Sequence, residues 1–183
     1  MHKAILTTTA IMLTLTGCNK ATETAAAPSP EAIAQAEAAR DALMTTLKGE
    51  LVAAIGGGGP ASAITVCKDR APAVAAEVAA DQGVRIGRTS FSLRNQSNTP
   101  PAWAVDLIEN RTETQSLTLA DNGTLHALYP IRTSAECLLC HGDPASIAPA
   151  ITEQITKLYP NDTATGFNLN DLRGYVWVEV DAE

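Results

Sequence analysis

Five consecutive residues, Cys137-Leu138-Leu139-Cys140-His141, carry the most specific chemistry in the chain. Two thiols three positions apart reach the two vinyl groups along one porphyrin edge and form thioethers. The imidazole that follows then meets the iron as an axial ligand. C-x-x-C-H therefore reads as the attachment site of one covalent haem c. Two other chemistries fit less well. A structural zinc site needs four ligands, and the sequence has no second C-x-x-C and no H-x-x-x-H. A thioredoxin-like redox pair opens a helix after a strand of a βαβ unit, and no such unit surrounds Cys137.

The start of the chain decides which other iron donors survive maturation. Lys3 gives a positive n-region, and residues 4–16 form a short apolar run, too short to read as a transmembrane helix. The run closes on Leu15-Thr16-Gly17-Cys18. Small residues followed at once by Cys resemble the lipobox of bacterial lipoproteins, which implies cleavage before Cys18 and acylation of its sulfur. The expected organisation is a lipoprotein signal peptide over residues 1–17, a flexible Ala/Thr/Pro-rich tether over 18–30, and a haem-binding domain over 31–183. Lipid on Cys18 anchors a protein without spanning the bilayer, so the expected location is the periplasmic face of a bacterial membrane.

The formal charge is −7, and loss of Lys3 makes it one unit more negative. That balance disfavours nucleic acid and suits a basic redox or signalling partner. Aromatic residues are only 4% of the chain, so the core must lean on Leu, Ile, Val and Ala, with a buried porphyrin supplying apolar bulk.

Several elements must position the haem stretch. Leu43, Leu47, Leu51 and Ile55 recur every four residues and predict a helix over 31–55, ended by Gly56-Gly57-Gly58-Gly59. No Lys-Ser/Thr follows the glycines, so they read as a turn, not a phosphate loop. Pro60 suits the first turn of a second helix carrying Ile64, Val66 and Cys67; Pro72 should break or restart it, and it should run on to Gly83. Residues 84–94 look extended, but Val84 and Ile86 oppose Phe91 and Leu93 in parity, which predicts a bulge or break near 87–89. Thr99 is placed to cap a short helix reaching Arg111. Residues 113–120 and 125–131 alternate around Asp121-Asn122-Gly123, a hairpin turn. A helix follows the haem stretch, with Pro149 as a possible start, then a long loop and a last strand over 175–180. The fold class is α+β: an antiparallel sheet with long N-terminal helices and one covalently bound haem.

His141 takes one axial position. Met1, His2 and Met12 leave with the signal, so the rivals for the other are Cys67, His126, Met44 and the lysines, with a vacant position also open. Cysteine arithmetic favours Cys67, because Cys18 carries lipid, Cys137 and Cys140 carry haem, and a lone thiol in an oxidising compartment needs a role. The plainer readings are a small buried core residue or an intermolecular disulfide. His126 has the parity of Leu128, opposite Leu125, Ala127 and Tyr129, and Met44 lies beside the first helix's apolar stripe.

Beyond C-x-x-C-H, several segments resemble the single-haem c-type domain family with a PAS-like fold, formerly a domain of unknown function. They are Ala63-Ile64-Thr65-Val66-Cys67 with Ala71-Pro72, Gly87-Arg88-Thr89-Ser90 to Arg94-Asn95, Asn98 to Trp103, and Cys137 to Pro144. Tyr159-Pro160-Asn161-Asp162 with Gly166-Phe167, and Asp171-Leu172-Arg173-Gly174, complete the match. The resemblance implies a PAS-like sheet and iron held between His141 and Cys67. Arg88 and Arg94 are candidates to pair with the haem propionates, since guanidinium forks match carboxylates. The expected function is electron transfer or redox sensing, without enzymatic turnover. A gas (NO or CO) sensor working by displacement of Cys67 and a haem peroxidase are the alternatives.

Overall fold

The computed structural model describes residues 27–182; the expected signal peptide, Cys18 and most of the tether lie outside them. The first element, α1 (Pro30–Gln82), starts where Ser29 accepts a hydrogen bond from the Ala32 amide at 3.1 Å and Pro30 pre-sets the first turn. Its helical pattern runs through Gly56–Gly58 and breaks only at Gly59 (φ 80°, ψ 170°), a backbone conformation open to glycine alone. Gln35 Nε2 donates to the Gln82 carbonyl at 2.7 Å, and Arg70 meets Glu50 at 2.8 Å. In a straight helix Gln35 and Gln82 would stand about 70 Å apart. The chain therefore doubles back at Gly59 into an antiparallel helical hairpin with arms of residues 30–58 and 60–82. The two expected helices are present, with three of the four glycines inside the first. Pro72 does not interrupt the second arm: Ala71 and Val74 beside it are buried, and their packing offsets the lost backbone bond. Gly83, left-handed at φ 63°, ends the arm.

Four strands follow: β1 (Arg85–Thr89), β2 (Ser116–Leu119), β3 (Leu125–Arg132) and β4 (Leu172–Val180), in the order β1-β4-β3-β2 and all antiparallel. One face carries Ile86, Leu125, Ala127, Tyr129, Val176, Val178 and Val180. It packs against Ala36, Ala39, Leu43, Val74 and Val78 of the hairpin. The other face carries Leu128 and Tyr175 under a 3-10 turn (Ala102–Ala104) and α2 (Val105–Glu109), which supply Trp103, Ala104 and Ile108. This is the α+β class, with the Asp-Asn-Gly hairpin between β2 and β3.

One local expectation is met and two need correction. The break expected near 87–89 is the end of β1 at Thr89, with even register against β4 and no bulge inside the strand; Phe91 then leaves the sheet to pack on the second face. The one register irregularity lies instead at Ile131/Arg132, opposite β4. Thr99 caps nothing, and the helix after it is two short pieces ending at Glu109. The last strand starts at Leu172, earlier than alternation suggested. Gly174 breaks the alternation because its neighbour comes very close: a Cβ there would lie 2.5 Å from the Thr89 carbonyl oxygen.

Candidate functional site

Beyond the end of β3 a 3-10 turn (Ala135–Cys137) runs into α3 (Leu138–His141), so Cys137, Cys140 and His141 share one short helical stretch. Both cysteines are half-buried free thiols; Ser134 steadies Cys137, its amide 3.4 Å and its hydroxyl 3.3 Å from Sγ. Burial pushes the Cys140 thiol up, with Arg94 opposing.

The His141 ring is deep among protein atoms. Its Nδ1 lies 2.6 Å from the Ala164 carbonyl oxygen, which assigns the proton to Nδ1 and leaves Nε2 as the lone-pair nitrogen, faced by Arg94 Nη1 at 3.4 Å. Burial first, then the charges of Arg173 and Arg94, hold the imidazole well below its usual pKa, so it is neutral. The loop after α4 (Pro149–Leu158) wraps around it. Gly166 and Phe167 amides donate to the Gly142 and His141 carbonyls at 2.8 and 3.0 Å, and the Phe167 ring stands edge-on to the imidazole at 6.5 Å.

Three arginines surround this histidine. Arg94 Nη2 donates to the carbonyls of Cys140 (2.6 Å) and Ala164 (3.3 Å) and to Asp162 Oδ2 (3.0 Å), and Nη1 lies 3.4 Å from His141 Nε2. Its buried Nε has no partner. Arg88 extends from β1 into enough protein that burial lowers its pKa, against the pull of Cys67 and Tyr159. Arg173, at the start of β4, is lowered to about 10 by burial and by Arg94. Sequence reasoning named Arg88 and Arg94 as propionate partners but gave no role to Arg173, Asp162 or Ala164. Asp162 and Arg173 lay in segments that carried the family resemblance, while Ala164 had no signal at all.

Cys67 lies on the second arm of the hairpin. Its surface is open to solvent, yet the protein around it pushes the thiol pKa up, while Arg88 and Arg94 are near enough to pull it down. Cys67 also acts on the Cys140 thiol, so the two are electrostatic neighbours. The rival donors are elsewhere. His126 is near the far end of β3, stacked on Trp103 at 4.6 Å and 10°, and Met44 packs against the core under the hairpin. Lys48 is paired to Glu136 at 2.7 Å. Cys18 lies outside the described residues.

The residues present fit a haem. Among the described residues, Arg94 is paired with Asp162 while neither Arg88 nor Arg173 makes an ion pair, so the site carries uncompensated positive charge of the kind that propionates neutralise. Two thiols and an imidazole whose Nε2 carries the lone pair stand beside these arginines. Apolar surface is also available. Leu139, inside the attachment stretch, is 43% exposed, and Val52 is 53% exposed. Val52 is one turn beyond Lys48 on the same face of the first arm, and Lys48 meets Glu136 of the attachment stretch.

A helical hairpin laid over a four-stranded antiparallel sheet, with a Cys-x-x-Cys-His stretch docked beyond the end of β3, defines a class of α+β domain with one deep, cation-rich site. Within that class, the chain belongs to the Tll0287-like family, whose profile matches residues 19–180. It is similar to the crystal structure of the cyanobacterial heme-protein Tll0287, with 26% sequence identity and a TM-score of 0.63, over 85% of this chain and 98% of that one. No curated protein gives a significant match.

Proposed function

We propose that this chain is a membrane-anchored periplasmic c-type haem protein of PAS-like architecture that serves electron transfer or redox sensing. The carrying observation is the Cys137/Cys140/His141 stretch with the His141 Nδ1 proton held by Ala164 and Nε2 left as the lone-pair nitrogen. The solved haem-protein relative supports the same reading. Bound haem supplies a one-electron ferric/ferrous couple. Cys137 and Cys140 form the thioethers. His141 is one axial ligand, oriented by the Ala164 carbonyl. Cys67 is the other; burial raises its thiol pKa, with Arg88 and Arg94 opposing, so the thiolate would depend on the iron itself. Arg88 and Arg94 neutralise the propionates. With a protein ligand on each side of the iron, the site carries electrons and is not an enzyme's. The lipid on Cys18 tethers the domain to the membrane, within reach of a redox or signalling protein.

A second reading has support from one observation: Cys67 is an exposed residue on the second arm of the hairpin. A diatomic gas could then displace it, which would make the domain a ligand sensor. Exposing the ferrous protein to CO and NO tests this, and peroxide turnover tests a peroxidase role.

The main experiment is maturation of the full chain by haem-attachment machinery. Haem staining should survive a denaturing gel and acid-acetone extraction, and should vanish in a Cys137→Ser/Cys140→Ser variant. Haem that extracts freely, or stoichiometric zinc in its place, contradicts the proposal.

A further inference from the structure

Two guanidinium groups address the two nitrogens of His141, and they are held differently. Arg94 is charge-paired with Asp162. Arg173 has only neutral anchors: Nη1 donates to Ser90 Oγ and to the Ser92 carbonyl, each at 3.1 Å. Ser90 closes the clamp by donating its own hydroxyl to the Arg173 carbonyl at 2.7 Å. The guanidinium lies over the Phe167 ring, 5.2 Å from its centroid, and that ring stands edge-on to His141. Its Nε comes within 3.3 Å of His141 Nδ1.

That last approach is not an ordinary hydrogen bond. The Ala164 carbonyl, at 2.6 Å, already takes the Nδ1 proton, so Nδ1 has no lone pair to offer Arg173. What Arg173 brings to the ring is positive charge. Burying a cation with no carboxylate partner is costly, and neutral acceptors compensate only in part. Ser90, Ser92 and Phe167 nonetheless fix it in this one place.

We propose that Arg173 is a positioning residue for His141, whose fixed charge beside Nδ1 weakens the imidazole as an axial donor and favours the reduced iron. The inference rests on the haem reading above. A ligating histidine that donates its second N–H to a carbonyl becomes a stronger base toward the metal. A cation fixed beside that N–H opposes the drift of the proton toward oxygen, and so limits the gain. The same charge, in a poorly screened setting, also disfavours the more positive oxidation state. Arg173 thereby counters the ferric preference that a Cys67 thiolate would impose.

The test is potentiometric titration of the haem-loaded full chain, with haem content and the ferric optical spectrum recorded for each protein. Arg173→Gln should shift the one-electron equilibrium about tenfold toward ferric, roughly 59 mV lower, with the low-spin spectrum retained. Arg173→Lys keeps the charge and should restore most of the potential. Should Arg173→Gln fail to mature, Ser90→Ala, which frees Nη1 from its hydroxyl anchor, must shift the potential the same way. An unchanged potential in the maturing variant overturns the proposal. So does an equal shift in Arg173→Gln and Arg173→Lys, which marks a structural role. A wild-type chain without covalent haem fails differently: it removes the haem reading first and this inference with it.

Discussion

Arg85 and Arg88 stand three residues apart on β1, and their surroundings differ completely. Arg85 is half exposed at the sheet edge and has two carboxylates to itself: Glu179 takes Nε, and Asp181 takes the two terminal nitrogens at 2.8 and 2.9 Å. Glu179 also accepts the Trp103 indole N–H at 2.6 Å, so the cluster closes on itself. Arg88 points the other way, into the site where Arg94 and Arg173 also converge; there Asp162 pairs with Arg94, and neither Arg88 nor Arg173 has an ion-pair partner among the described residues. A cation matched by its own chain has finished its work as structure. Buried cations left without a carboxylate partner are suited to an anion that arrives separately, which is why the site, and not the sheet edge, is where a dianionic cofactor belongs.

The sharpest way to break this comparison is to remove the site's one carboxylate. Asp162 and Arg94 expose only 8% and 12% of their side chains. Asp162→Asn should cost the haem-free protein about 3–5 kcal/mol in urea unfolding, the usual penalty for stranding a buried charge. A loss below 1 kcal/mol would mean the site is wetter than its geometry implies.

Gly87, between the two arginines, gives the next effect. A Cβ there would fall 2.5 Å from Trp177 Cζ2, in the aromatic face of the sheet. Gly87→Val should lower stability by about 1–3 kcal/mol through overpacking, read as a lower denaturation midpoint at unchanged slope. Arg85→Gln should cost less, about 0–1 kcal/mol, and that loss should fade in high salt because the pairs are exposed.

The smallest effect is a pH dependence. Burial raises the Tyr129 phenol to about 12, against the opposing charge of Arg40, whose guanidinium lies 4.5 Å from the ring centroid. A raised pKa means that the folded state holds the proton more tightly than the unfolded one. Stability is therefore unaffected below the ordinary phenol range and falls as pH rises from about 10 to about 12. Tyr129→Phe removes this alkaline loss. It should be near neutral at pH 7, because the hydroxyl is buried without a partner. Ultraviolet titration of the phenols checks the assignment.

Much of the fold was legible because it is written locally. The four-residue spacing from Leu43 to Ile55, the glycine run and Pro60 foretold the two arms; alternation around Asp121-Asn122-Gly123 foretold β2 and β3. What escaped was set by tertiary contact. The helix crossed Pro72 because Ala71 and Val74 are buried, and β4 began early because Gly174 lies against Thr89. The site divides in the same way. Cys137, Cys140 and His141 are contiguous and read themselves out. Arg94, the loop carrying Asp162 and Ala164, and Arg173 at the start of β4 arrive from distant parts of the chain, and no local pattern announces that a carbonyl at Ala164 will orient a histidine 23 residues earlier. Cys67 was reached only by counting the other thiols and by family resemblance.

The account turns on Cys67 and His141 sharing one iron, and an electron-spin-resonance spectrum of the purified ferric protein reports that pair directly. Wild type should give a low-spin signal with thiolate character. Cys67→Ala should keep its covalent haem, lose that signal, raise its reduction potential and bind added imidazole. A Cys67→Ala spectrum and potential identical to wild type would contradict the account.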